Sequence, residues 1–308
     1  MPANVNQPHA DGNVQMLGDP SLIVHATPAA GFTSQLISSL RSPPVFVALL
    51  ILSVVIVVAL AAPLLGTIDP VAIDPGSRLR GLSPEHWLGT DAFGRDTYSR
   101  VVYGARVSLI VGAGATLMSI TLGLLIGVIA GYFRAADAII MRVMDGIMAI
   151  PSILLAIALV SLTGGSLMTV LIAITIPEVP RVVRLVRSVI LSVRTEPYVE
   201  AAISLGTRVP ILLVRHMVPN TVAPLIVQGT YVFAAAILTE ATLSFLGAGL
   251  PPEIPSWGNM MSEGRMYFQL LPGLILYPGI ILAATLLSVN VLGDVVRDLL
   301  DPKMARKS

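Results

Sequence analysis

TEPYVEAAISLGTRVPILLVRHMVPN, residues 195–220, is a polar, helix-forming island between segments apolar enough to lie in a bilayer. Thr195 can cap a helix whose first turn accepts Pro197, because the amide proton that proline lacks would be unpaired there anyway. Tyr198 to Leu205 then reads as one short helix. Gly206 suits the left-handed residue that ends it, and Thr207 can cap a second helix, with Pro210 in its first turn, running to about Val218. The pattern predicts helix, elbow, helix. Ala201 and Ala202 leave part of the first helix without bulk, able to slide into a groove on another protein, with Glu200 and Arg208 charged at the rim. The alternative is a hairpin that merely joins two membrane helices.

The rest of the composition explains why such an island stands out. Of 308 residues, 55% are hydrophobic and 12% charged, and the mean hydropathy is +0.83, a membrane composition. Cysteine is absent, which excludes disulfides and thiolate metal sites. His9, His25, His86 and His216 are scattered without metal-ligand spacing. A net charge of +1 gives no sign of nucleic-acid binding, and the only lysines are Lys303 and Lys307. A phosphate-binding loop of the form GxxxxGK[ST] is therefore excluded, so any ATP-driven step needs another chain.

Along the chain, residues 1–40 read as a loose polar tail without a removable signal peptide. Ser42 to Ile68 is free of charge, and Val45 to about Leu65 is long enough to span the hydrocarbon. Asp69 to Arg106 reads as an external loop ending in an amphipathic approach to the membrane; within it, Asp91 and Asp96 are expected to cap and pair with Arg95 and Arg100. Val107 to Phe133 carries Gly123, Gly127 and Gly131 at four-residue steps, a stripe that permits close helix packing. A third helix runs to about Leu162, with Arg142 and Asp145 paired near its start. TGGS at 163–166 makes a short turn. A fourth helix from Leu167 changes character in its second half, with Glu178 followed by Arg181, Arg184 and Arg187 at three-residue steps. Each arginine would cost roughly 2.5–3.5 kcal/mol facing lipid, so this end must leave the hydrocarbon or face protein or water. It is either an inside anchor or a contact to a partner. A fifth helix from about Val222 to Phe245 holds Glu240, which either lines a solute path or bonds a neighbouring helix. A Pro-rich external loop, Leu250 to Trp257, with Trp257 as an interfacial anchor, and a sixth helix from about Leu270 to Leu292 complete the chain. With six spans and the amino terminus inside, thirteen cationic residues lie inside and six outside.

Glu200, Ala201, Ala202 and Gly206, followed by His216, Pro219 and Asn220, resemble the EAA loop of membrane permease subunits of ATP-binding-cassette (ABC) importers, in the version of dipeptide, oligopeptide and nickel systems. HWLGTDAFGRDTYSRVVYGARVSL at 86–109, LSFLGAGLPPEIPSW at 243–257 and NVLGDVVRDLLDP at 290–302 extend the resemblance from about His86 to Pro302. It implies an all-α polytopic protein with six transmembrane helices in the type I importer permease fold. Residues 1–44 would be a cytoplasmic tail, 45–66 the first span, 67–103 an extracytoplasmic loop, 104–294 the permease core with the loop at 195–220, and 295–308 a cytoplasmic tail. It further implies ATPase coupling through Glu200, Ala201, Ala202, Gly206, Arg208 and Pro219, with no cofactor and no catalysis in this chain. The implied setting is the cytoplasmic membrane and its lipid. The implied partners are a second permease subunit, two ABC ATPase subunits and an extracytoplasmic solute-binding protein. The competing class is an ion-coupled secondary transporter using Asp145, Glu178 and Glu240, whose expected inverted repeat is not visible. An intramembrane hydrolase built on Ser166 and His216 fails because the two are predicted at opposite membrane faces.

Overall fold

The computed structural model describes residues 42–300. Among them the architecture is helical, without a strand. The helices are α1 (Pro43–Leu60), α2 (Thr97–Tyr132), α3 (Arg134–Met148), α4 (Ser152–Thr163), α5 (Leu167–Val193), α6 (Pro197–Ser204), α7 (Val209–Leu212), α8 (Val222–Phe245), α9 (Trp257–Gly264) and α10 (Gly273–Leu300). Helix α2 starts at Thr97, inside the stretch expected to be loop, because Asp96 caps it: its carboxylate accepts from the Ser99 amide at 2.8 Å. Helix α10 runs on to Leu300, past the expected boundary at 294.

Four stretches among the described residues are long and apolar enough to cross a membrane: α1, α2, Val209–Phe245 and α10. The expected third span is broken, since α3 and α4 meet at 88°. Pro151 explains the break, because it lacks an amide proton and forces Ile150 away from helical geometry. Helix α5 has the length of a span, at 27 residues, but its second half carries Glu178, Arg181, Arg184 and Arg187.

The glycine stripe of α2 meets α5. A β carbon at Gly123 would lie 2.4 Å from Val182, at Gly127 2.7 Å from Val186, and at Gly131 2.7 Å from Ile190. These contacts make α2 and α5 a close-packed pair, as small-residue stripes allow. Around that pair the core divides along the helix axes. Val170, Ala173 and Ile174 of α5 pack with Val111 of α2, Ala156 and Val160 of α4 and Ala236 and Leu243 of α8. Nearer the other end, Val186, Ile190 and Val193 of α5 pack with Val128, Leu225 and Val232 and with residues of the 195–220 stretch.

Candidate coupling site

The 195–220 stretch folds as helix, elbow, helix. Thr195 does not cap α6; its hydroxyl donates to the Ser192 carbonyl at 2.8 Å, and Glu196 takes the extended position before Pro197. The far end follows the expected chemistry. Gly206 has φ of +75°, its amide donates to Ile203 O at 2.9 Å, and the Thr207 amide donates to Ala202 O at 3.1 Å. This pair of bonds closes a helix through a left-handed residue and satisfies carbonyls that would otherwise be orphaned. Arg208, rather than Thr207, precedes the second helix.

That second helix does not stop near Val218. After α7 the chain widens into a π turn at Leu213–Met217, tightens into a 3₁₀ turn at Val218–Thr221, and continues as α8. Pro219 accounts for the change of winding, since its missing amide proton cannot sustain the α pattern. The elbow is consequently continuous with a membrane span. Asn220 fastens the two arms, its side-chain amide donating to His216 O at 2.8 Å and to the Tyr198 hydroxyl at 3.1 Å.

The inner face of the elbow is a core. Val199, Ala202, Leu212 and Met217 are buried together with Val186, Ile190 and Val193 of α5. Ala201 and Ala202 therefore do not form one open face: Ala202 points inward, and Ala201 is exposed beside Glu200. Gly206, Arg208 and Pro219 are exposed as well. Around them lie apolar side chains that the sequence reading passed over, with Leu205 86% and Val214 69% exposed, and Ile203 and Ile211 about half so. Their outward direction could have been read from the inward Val199, Ala202 and Leu212. An outer surface of apolar residues rimmed by Glu200 and Arg208 is suited to another protein. Arg194 anchors the near arm to the end of α2, donating to Tyr132 O at 3.2 Å and lying over the Tyr132 ring.

The arginines of α5 each take an acid of this chain. Arg187 binds Asp137 through two nitrogens, Arg184 donates to Asp145 at 2.6 Å, and Arg181 contacts both oxygens of Glu178 at 2.9 and 3.1 Å. The expected Arg142–Asp145 pair does not form, because Asp145 turns from α3 to Arg184 of α5 instead. Glu240 is fully buried, with one carboxylate oxygen accepting from Ser244 at 2.8 Å. Ser244 belongs to the same helix, and the Ser256 side chain at the start of α9 also favours the carboxylate; protein encloses Glu240 on every side, so lining a path would require a different conformation.

On the opposite end, Asp91 and Glu263 share Arg95 and Arg100. Arg95 Nε donates to Asp91 at 2.6 Å and its terminal nitrogen to Glu263; Arg100, 1% exposed, lies 3.4 Å from Glu263. Burial pushes the Glu263 carboxyl above the ordinary carboxylate range, against the downward pull of Arg100 and Arg95. Trp257 is not an interfacial anchor. It is fully buried, donates from its indole nitrogen to Val101 O at 3.1 Å, and fills the space that Gly104 leaves.

Residues 119–306 match the family described as Binding-protein-dependent transport system inner membrane component. The chain is 54% identical, over 81% of its length and 85% of the relative's, to the probable peptide ABC transporter permease protein y4tQ of Sinorhizobium fredii. It is 46% identical to the dipeptide transport system permease protein DppC of Alkalihalophilus pseudofirmus, over 84% and 85% of the two chains. It is 38% identical to the di/tripeptide transport system permease protein DppC of Pseudomonas aeruginosa, over 83% and 87%. With spans packed through a glycine stripe and an exposed elbow continuous with one of them, the chain belongs to the family of binding-protein-dependent transport system inner membrane components.

Proposed function

We propose that this chain is the permease subunit of an ABC importer that carries di- or oligopeptides, or a related small solute, across the cytoplasmic membrane. The observation that carries the reading is the elbow, whose outer face is open while its inner face is part of the same core as α5 and α8. An ATPase seated on Leu205, Val214 and the Glu200 and Arg208 rim would move a body that reaches into the membrane. Coupling requires contacts that differ between two states, and this surface is where the chain can make them. In this reading a second permease completes the pore, two ATPase subunits supply the hydrolysis for which this chain has no phosphate loop, and an extracytoplasmic binding protein delivers the solute.

The orientation follows from the same reading: both termini and the elbow are cytoplasmic, the chain crosses six times, and the Asp91–Glu263 cluster is external. Copurification tests the assembly. The chain should come out of membranes with a second permease and two ATPases, and alone it should hydrolyse no ATP. Reporter fusions after Arg194 and Lys307 should give cytoplasmic signals, and fusions near Glu85 and Pro252 external ones. An external signal at Arg194 would remove the elbow from the ATPases' reach and end this proposal.

A further inference from the structure

Pro180 is the midpoint of α5, and Arg181 follows it. At 1.5 Å per residue, Arg181 lies about 21 Å along the chain from Thr195, where the elbow begins. In the orientation proposed above, that depth is inside the hydrocarbon, whose thickness is about 30 Å. Yet the Arg181 side chain is 51% exposed, while its partner Glu178 is only 8% exposed. A guanidinium at this depth cannot face acyl chains without a cost of roughly 2.5–3.5 kcal/mol, so the open face of α5 around it meets water or polar matter.

The pattern of that face gives it a direction. Arg181, Arg184, Ser188 and Leu191 recur at three- and four-residue steps and all are exposed; Pro177, one turn the other way, is buried, as are Val170 and Ala173 beyond it. The face is open from Arg181 toward the elbow and closed above it. Arg181 is the deepest exposed side chain on that open run.

Its hydrogen bonding is incomplete in a specific way. Only Nη1 is engaged, by both oxygens of Glu178. The Nε and Nη2 edge has no partner among the described residues, and this edge offers two parallel N–H groups at the spacing of a carboxylate's oxygens. Arg187 contrasts with it, since its Nε and Nη2 edge is already filled by Asp137. Glu178 neutralises Arg181 from behind and leaves its fork free.

We infer that Arg181 lines the solute path and takes the carboxylate of the cargo, the C-terminal carboxylate that an unmodified peptide carries. This rests on the peptide-importer reading above and names the group that the path recognises. Anionic lipid headgroups are the other source of such an anion, but they lie at the interface and not near the middle of α5.

The absence of cysteine supplies the test. Ser188→Cys places a single thiol of this subunit on the open face, two turns from Arg181. The complete importer carrying it is assembled in nanodiscs and treated with a charged, membrane-impermeant methanethiosulfonate, without nucleotide and after trapping with ATP and vanadate. The thiol should react in at least one state. Millimolar dipeptide with a free carboxylate should slow that reaction about fivefold or more, its C-terminal amide should not, and adding Arg181→Gln should remove the difference. A Ser188→Cys thiol silent in both states, equal protection with and without Arg181, or protection that follows phosphatidylglycerol content instead of peptide would each overturn the inference. Uptake by the unsubstituted importer in vesicles separates the two levels: no peptide uptake there refutes the peptide-importer reading, whereas normal uptake with any of the three results above refutes the role of Arg181 alone.

Discussion

Gly206→Val is the sharpest perturbation of the elbow, because the structure separates its costs. A β carbon at Gly206 would meet nothing within 4 Å, so no clash contributes. What remains is the backbone at φ +75°, where a side chain costs about 1–2 kcal/mol, with β-branched valine at the upper side. Leaving the left-handed region instead would break the Gly206–Ile203 and Thr207–Ala202 bonds, at roughly 0.5–1.5 kcal/mol each. The two routes cost about the same, so the variant divides between a strained elbow and an opened one. A shift of about 1.4 kcal/mol is tenfold in an equilibrium, enough to deplete the docking-competent form, yet small against the roughly 5–15 kcal/mol that holds a typical fold. Gly206→Asn is the control, since asparagine tolerates the left-handed region. Membranes from both variants should contain normal amounts of permease. Gly206→Val should retain about half the ATPase and lose uptake in proportion, and Gly206→Asn should stay close to the parent. Full coupling in Gly206→Val, or equal loss in both, would refute the argument that backbone conformation sets the elbow angle.

The features visible in the sequence are those set by local rules. Gly206 needed only the preference of a left-handed helix end for glycine, and Gly123, Gly127 and Gly131 needed only the spacing that lets helices approach. The elbow's inner and outer faces were not legible in the same way. Ala201 and Ala202 are chemically alike, and only the packing of Val199 and Leu212 onto α5 decides that Ala202 turns inward. The third helix was misread for a related reason: its apolar run continues through Pro151 and hides the 88° bend there, and the packing that gives Asp145 to Arg184 of α5 instead of to Arg142 on its own helix is tertiary. Trp257 and Arg100 show the limit most clearly. An external tryptophan and a loop-end arginine carry surface expectations by type, and both are buried because α9 folds back across the start of α2, which no short-range pattern announces.

Three further perturbations address the parts that the elbow must move. Gly127→Ala puts a methyl group 2.7 Å from Val186, and should lower membrane abundance through about 1–3 kcal/mol of overpacking; Gly146→Ala, where nothing lies within 4 Å, should not, as quantitative blotting would show. In the external cluster, Arg100→Met leaves Glu263 and Asp91 with one arginine between them, and should destabilise the purified protein by about 3–5 kcal/mol, part of which Glu263→Gln recovers in a double-mutant cycle of thermal unfolding. Glu240 decides between a fastening and a path. If its work is to accept from Ser244 at the buried end of α8, Glu240→Gln keeps that bond and the volume, and uptake should stay within about twofold, whereas Glu240→Ala strands the Ser244 hydroxyl and opens a cavity. Glu240→Ala should then lose abundance and uptake together, so that uptake per permease in the membrane holds steady. A Glu240→Gln variant of normal abundance that transports nothing would show that the charge itself meets the solute, and the enclosed position of Glu240 would belong to only one state of the transport cycle.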